Sequence, residues 1–166
     1  MRDLLIISQV RGVDMIYRGE LRFNCCESVL LMINEKHPLP GFGKDVLRVA
    51  SNFGGGVAGW GDLCGAASGA AMAIGLLYGT EGTETLRAYE EMRLRQRSMT
   101  MGFLQSFRDR WGYVTCRGLL GCEGCSADER LRHYNGLKER GLTHCDDFVE
   151  WAAVKALEII EKEDRP

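Results

Sequence analysis

The sequence predicts an all-α protein, a single-domain bundle of about six to seven helices joined by Gly-rich, cysteine-bearing loops. Three observations carry this prediction. Apolar residues recur at helical spacing through most of the chain. Two capping boxes mark helix starts, Asn24 with Glu27 and Ser126 with Glu129. Proline occurs only at Pro38, Pro40 and Pro166, so long helices are not interrupted. The one strand candidate, residues 113–116, is short.

Each element follows from local signals. Residues 3–20 place Leu5, Ile6, Val10, Val13, Ile16 and Tyr17 near helical spacing and predict a first helix. A second opens at Asn24, continues through Val29, Leu30, Leu31 and Ile33, and stops at His37-Pro38-Leu39-Pro40-Gly41. A short third helix covers 44–53. The loop Gly54-Gly55-Gly56-Val57-Ala58-Gly59-Trp60-Gly61 turns tightly. Asp62 is placed to cap a fourth helix, with Cys64 in its first turn. Gly65, Ala66, Gly69, Ala70 and Ala73 keep that helix thin, so another backbone can approach it closely. Residues 83–111 form a long fifth helix with a buried stripe of Leu86, Tyr89, Met92, Met99, Phe103 and Phe107. Its arginines make a solvated outer surface. The sixth helix runs from Ser126 to Gly141. The seventh starts at Thr143, with Cys145 in its first turn and an apolar face from Phe148 to Ile160.

Size and composition set the class. A chain of 166 residues fits one domain over 1–166 with a substantial core. Its 45% hydrophobic and 27% charged content is that of a soluble globular protein. A formal charge of -2 gives no pull toward nucleic acid or an anionic membrane. The apolar run at the N-terminus is too short for a signal-peptide core, and no stretch reaches the ~20 apolar residues that span a bilayer. The expectation is a cytoplasmic protein with no membrane or nucleic-acid partner, where thiols stay reduced. The cysteine count, seven, is odd, which argues against a purely structural disulfide framework.

The cysteines carry the chemistry. Cys25, Cys64 and Cys145 sit just inside helix starts, and Cys116 lies in a Gly-rich loop. A helix N-terminus is partly positive, which lowers a thiol's pKa and favours thiolate. Thiolate binds metal and attacks disulfides. The four are far apart in sequence, so they form one site only if the fold gathers them. Cys122-Glu123-Gly124-Cys125 is a separate signal, suited to two ligands on one metal or to a redox dithiol. With no second such pair a zinc ribbon is unsupported, and with no surrounding strand–helix–strand pattern so is a thioredoxin-like unit. Ser126 rather than His follows Cys125, which excludes c-type haem attachment there. Cys26 points about 100° from Cys25 around the helix and reads as a core residue. His144 reads as a surface residue at a helix start, His133 carries no motif, and His37 lies in a turn. The 54–61 loop lacks the signatures of nucleotide binding.

These residues together resemble a known family. The segment Phe53-Gly54-Gly55-Gly56, then Cys64-Gly65-Ala66-Ala67-Ser68-Gly69-Ala70, preceded by Asn24-Cys25 and followed by Cys116 and Cys145, is similar to the C_GCAxxG_C_C family of redox proteins. The resemblance covers roughly residues 20–155. It implies that Cys25, Cys64, Cys116 and Cys145 are the family's defining cysteines, with Cys26, Cys122 and Cys125 as extras. The family is in turn similar to the iron–sulfur part of split-Soret cytochromes, which implies a metal or cluster on the four cysteines.

The leading expectation is therefore a four-cysteine iron–sulfur electron carrier serving an unidentified redox partner protein. The alternatives are a metal-free thiol–disulfide oxidoreductase with Cys25 or Cys64 as attacking thiol, a non-redox zinc module, and a helical interaction protein. The Gly/Ala-rich helix faces would suit a homodimer as well as an internal core.

Overall fold

The computed structural model describes residues 17–18 and 21–164. It is helical, with α1 (Cys25–Lys36), α2 (Lys44–Ala50), α3 (Gly65–Tyr78), α4 (Leu86–Trp111), α5 (Cys116–Leu119), α6 (Ala127–Glu139) and α7 (Cys145–Glu163). A single 3-10 turn, Ser51–Phe53, extends α2. Two short strands, β1 (Tyr17–Arg18) and β2 (Leu21–Arg22), pair antiparallel ahead of α1. The predicted helix over 3–20 therefore does not reach Tyr17. Its earlier part, 3–16, lies outside the described residues.

Helix starts form where side chains replace missing backbone partners. The Asn24 side chain accepts from the amides of Cys26 and Glu27, while Glu27 returns to the Asn24 amide at 2.8 Å. Asn24 also donates to the carbonyl of Ser51 at 3.0 Å, tying this cap to the start of the 3-10 turn. Ser126 and Glu129 make the second capping box. Two predicted caps are displaced. Cys64 itself occupies the cap position of α3, because Asp62 is engaged by Arg117 at 2.8 Å. His144, not Thr143, precedes α7.

Helices α1, α3 and α7 pack together at the centre, and α4 lies against α3 and α7. Val29, Leu30 and Ile33 of α1 meet the alanines of α3 and of α7, with Val149 and Ile160, all essentially inaccessible. The alanines let backbones approach where larger side chains would hold them apart. Gly69 is the tightest point. A Cβ there would lie 2.6 Å from the Cys26 carbonyl and 2.9 Å from Val29 Cβ. Beside this seam, Phe103, Phe107 and Trp111 of α4 interlock with Phe148 and Trp151 of α7, ring centroids 5.0–6.4 Å apart in tilted and edge-on contacts.

The expected stripe on the long helix is buried only in its second half. Phe103 and Phe107 are fully enclosed, whereas Leu86 is 74% exposed. Gln96 lies beside Gly75, near the end of α3, so the first turns of α4 overhang their neighbour. Arg95 of α4 bonds Glu163 at 2.6 Å, and Tyr78 donates to Asp164 at 2.8 Å, pinning the end of α7. No helix among the described residues is long and apolar enough to cross a membrane.

Two helix glycines should respond oppositely to alanine. Gly69→Ala should destabilise by about 1–3 kcal/mol, the cost of overpacking a tight seam. Gly102→Ala, where a Cβ meets nothing within 4 Å, should stabilise by roughly 0.5–1 kcal/mol through helix propensity. Urea unfolding of both variants measures this. Equal effects would contradict the seam as described.

Candidate functional site

The backbone brings Cys64 and Cys116 side by side. Residues 61–64 and 114–117 run antiparallel, with a bridge at Leu63 and Thr115. The Cys64 amide donates to the Val114 carbonyl at 2.8 Å, the Cys116 amide to Asp62 at 2.7 Å, and the Arg117 amide to Gly61 at 2.9 Å. This is the segment read from sequence as the sole strand candidate. Cys116 is not in a loop: it opens the one-turn helix α5, capped by Thr115, whose side chain accepts from the Gly118 amide. Cys25, Cys64, Cys116 and Cys145 thus all occupy helix starts.

A second device brings Cys25 to Cys64. A Cβ on Gly65 would fall onto Cys25 Sγ, so the missing side chain of Gly65 is what admits that sulfur. The 54–61 loop then folds over it. Gly55, Gly56, Val57, Ala58, Gly59 and Gly61 all have positive φ. For Val57 and Ala58 this left-handed conformation is strained. It is held by amide bonds from Ala58 to Asn52 at 2.6 Å and from Gly61 to Gly55 at 3.0 Å. The loop carries the Gly55 amide to the Cys25 sulfur.

Cys25, Cys64, Cys116 and Cys145 line one cavity of about 250 Å³, closed on other sides by Leu119, Leu131, Tyr134 and Phe148. Its wall carries one arginine, Arg130 of α6, only 5% exposed. Arg130 donates from Nε to the Gly59 carbonyl at 2.7 Å and places Nη1 3.8 Å from Cys116 Sγ. Neither Arg130 nor Tyr134 stood out in the sequence. The signal for Arg130 was a charged residue one turn after a capping box, which is commonplace on a surface helix.

Burial reverses the expected thiol electrostatics. Backbone amides do lie toward the sulfurs, Gly55 of the loop and Gly65 of α3 toward Cys25, and Ala66 and Ala67 of α3 toward Cys64. Burial nevertheless dominates at every site. It raises Cys25, takes Cys64 well above the ordinary thiol value, and raises Cys116 against the pull of Arg130. Cys145 is pushed up to about 12 by burial, with the Cys25 and Cys116 sulfurs and Asp146 adding to it and Arg22 opposing. Cys25 also raises the other three, and Cys116 raises Cys64 and Cys145, as groups sharing one low-dielectric space do.

The other candidates fall elsewhere. Cys26 is fully buried, its Sγ 3.6 Å from Met72 Sδ, a core residue as expected. His144 pairs with Asp147 at 3.0 Å on the surface. His133 Nε2 meets the Leu120 carbonyl at 2.8 Å, and His37 lies 3.9 Å from Asp164. Cys122 and Cys125 sit on the turn after α5, outside the cavity wall.

The donor set can be tested against a metal group. Among the described residues, no three His, Cys, Asp or Glu side chains converge tightly enough to hold a single ion. A lone zinc needs its sulfurs about 2.3 Å from one point. A cluster distributes its cysteine ligands over several irons, so they stand farther apart around a larger volume. Four thiols at one mostly apolar cavity, with one buried cation beside them, are a donor set whose chemistry suits an anionic, thiolate-bound group.

Helices and site together define an all-α protein with a four-cysteine centre. The chain matches, over residues 23–159, the family described as "Putative redox-active protein (C_GCAxxG_C_C)", and it belongs to that family. No curated protein and no solved structure matches it.

The raised thiols imply a pH dependence for the reduced, chelator-treated protein. Their folded values lie above the ordinary 9.0. On raising pH the unfolded chain loses its thiol protons first, so it binds fewer protons than the folded state and stability falls. The contribution is complete below pH ~8 and is lost progressively above pH ~9. The urea midpoint should therefore fall between about pH 8 and pH 11. A flat or rising midpoint would contradict the burial of these thiols.

Proposed function

We propose that Cys25, Cys64, Cys116 and Cys145 hold an iron–sulfur cluster and that the protein carries electrons to or from a partner. The observation that supports this best is the meeting of four helix-start cysteines at one cavity. When bound, such a cluster supplies a one-electron couple. The cysteines serve as its ligands, giving up their protons on ligation. The amides of Gly55, Gly65, Ala66 and Ala67 donate to the ligand sulfurs and favour the more negative, reduced state. Arg130 acts in the same direction through its charge beside Cys116. Leu119 and Phe148 limit water at the cavity wall, which strengthens each of these interactions.

Metal-free thiol exchange at Cys25 or Cys64 is less favoured, because burial keeps both protonated. Visible spectra with iron and acid-labile sulfide assays on protein purified without oxygen test the reading. Cys→Ser at positions 25, 64, 116 or 145 should each lower iron and sulfide content severalfold, while Cys26→Ser should match wild type. Colourless wild-type protein that also resists reconstitution would sink the proposal.

Arg130 gives a second test. Arg130→Gln should lower the reduction potential, on the order of tens of mV, by removing a buried positive charge. Arg130→Lys should recover part of that shift. Potentiometric titration reads both.

A further inference from the structure

The turn that joins α5 to α6 holds two cysteines that the four-cysteine centre does not use. Cys122 is 8% exposed and packs with Cys116 and Leu120 in a small apolar cluster, against which Tyr134, Leu137 and Cys145 also lie. Cys125 packs against the same cluster but remains partly exposed. The Cys125 amide donates to the Cys122 carbonyl at 3.0 Å, closing a turn that places both side chains at the same cluster.

This turn is held from several sides. The Cys122 amide donates to the Arg117 carbonyl at 2.9 Å. The Arg117 guanidinium reaches the Cys125 carbonyl at 3.3 Å and Asp62 at 2.8 Å. Tyr113 donates to Glu123 at 3.3 Å. The outer side is open: a Cβ on Gly124 would meet nothing within 4 Å. Cys125 is thus partly exposed, Cys122 is buried three residues before it on the same turn, and the backbone between them is fixed.

We propose that Cys122 and Cys125 form a thiol–disulfide exchange site whose substrate is a disulfide, with Cys125 as attacking thiol and Cys122 as resolving thiol. The assignment is independent of what the four-cysteine cavity holds. Cys125, as thiolate, attacks one substrate sulfur. A Cys125–substrate disulfide forms, the substrate S–S bond breaks, and the departing thiolate takes up the proton that Cys125 released. Cys122 then loses its proton and attacks Cys125 Sγ. The Cys122–Cys125 bond forms, and the second substrate thiolate leaves and is protonated. Two protein thiols are oxidised by two electrons, and one substrate disulfide is reduced to two thiols. A dithiol reductant reverses the sequence.

The test uses the full chain, purified without oxygen and exposed to glutathione disulfide, followed by alkylation and peptide mapping. Wild type should yield a Cys122–Cys125 disulfide with Cys26 still reduced. Cys122→Ser should accumulate glutathione on Cys125, with a lifetime at least about tenfold longer than the mixed disulfide of wild type, because no resolving thiol remains. Cys125→Ser should acquire no glutathione at Cys122 on that timescale. A Cys116–Cys122 linkage, a Cys122–Cys125 pair left reduced, or wild-type reactivity in Cys125→Ser would overturn the assignment. Insulin as a second probe separates the sources. Loss of its disulfides to the reduced protein would identify a protein substrate, reaction with glutathione disulfide alone a small one, and reaction with neither would end the proposal.

Discussion

The structure depends on the closeness of α1 and α3. Their contact is set by two absent side chains, one per turn. At Gly69 the α1 backbone occupies the space of a Cβ, and at Gly65 the Cys25 sulfur does. The same approach therefore builds the core and delivers the Cys25 sulfur to the cavity beside Cys64. A bulkier residue at either place would move both. This gives Cys64-Gly65-Ala66-Ala67-Ser68-Gly69 a physical meaning: a cavity-lining thiol, a gap for the Cys25 sulfur, two core alanines whose amides lie toward Cys64, and a gap for the neighbouring helix.

The second half of the site is positioned by backbone rather than by packing. Cys64 and Cys116 are locked together by the paired segments around Leu63 and Thr115, and Arg117 extends that lock to the turn carrying Cys122 and Cys125. The strained loop at Val57 and Ala58 belongs to the same design. Left-handed backbone at a β-branched residue persists only where the surroundings enforce it. Here the enforcing bonds also hold Gly55 and Gly59 at the cavity.

Much of this was legible in the residues. The capping boxes at Asn24 and Ser126 located two helix starts, and the small residues of α3 announced a close contact. The four cysteines that line the cavity are those the family resemblance singled out. What escaped were features set by long-range geometry. Asp62 has the chemistry of a helix cap, but Arg117, distant in sequence, takes its carboxylate. Leu86 has the right period for the core, but α4 outruns the helix that would cover it. Helix starts favour thiolate locally, yet burial, which no local pattern reports, outweighs them. Arg130 is indistinguishable in sequence from the solvated arginines of α4.

That last residue bears on how the molecule moves. Arg130 is the only buried residue of α6. A helix anchored by one buried guanidinium, the His133 bond to Leu120 and the partly buried Tyr134 and Leu137 contributes little fully buried apolar area to the fold. Such an element belongs to the low-stability end of a protein, opening far more often than the core unfolds. The amides of α6 should thus exchange with solvent long before those of α1, α3 and α7. The roof over the cysteines becomes a separately cooperative unit, held by Arg130 and by the side chains it lays on the very cavity it covers.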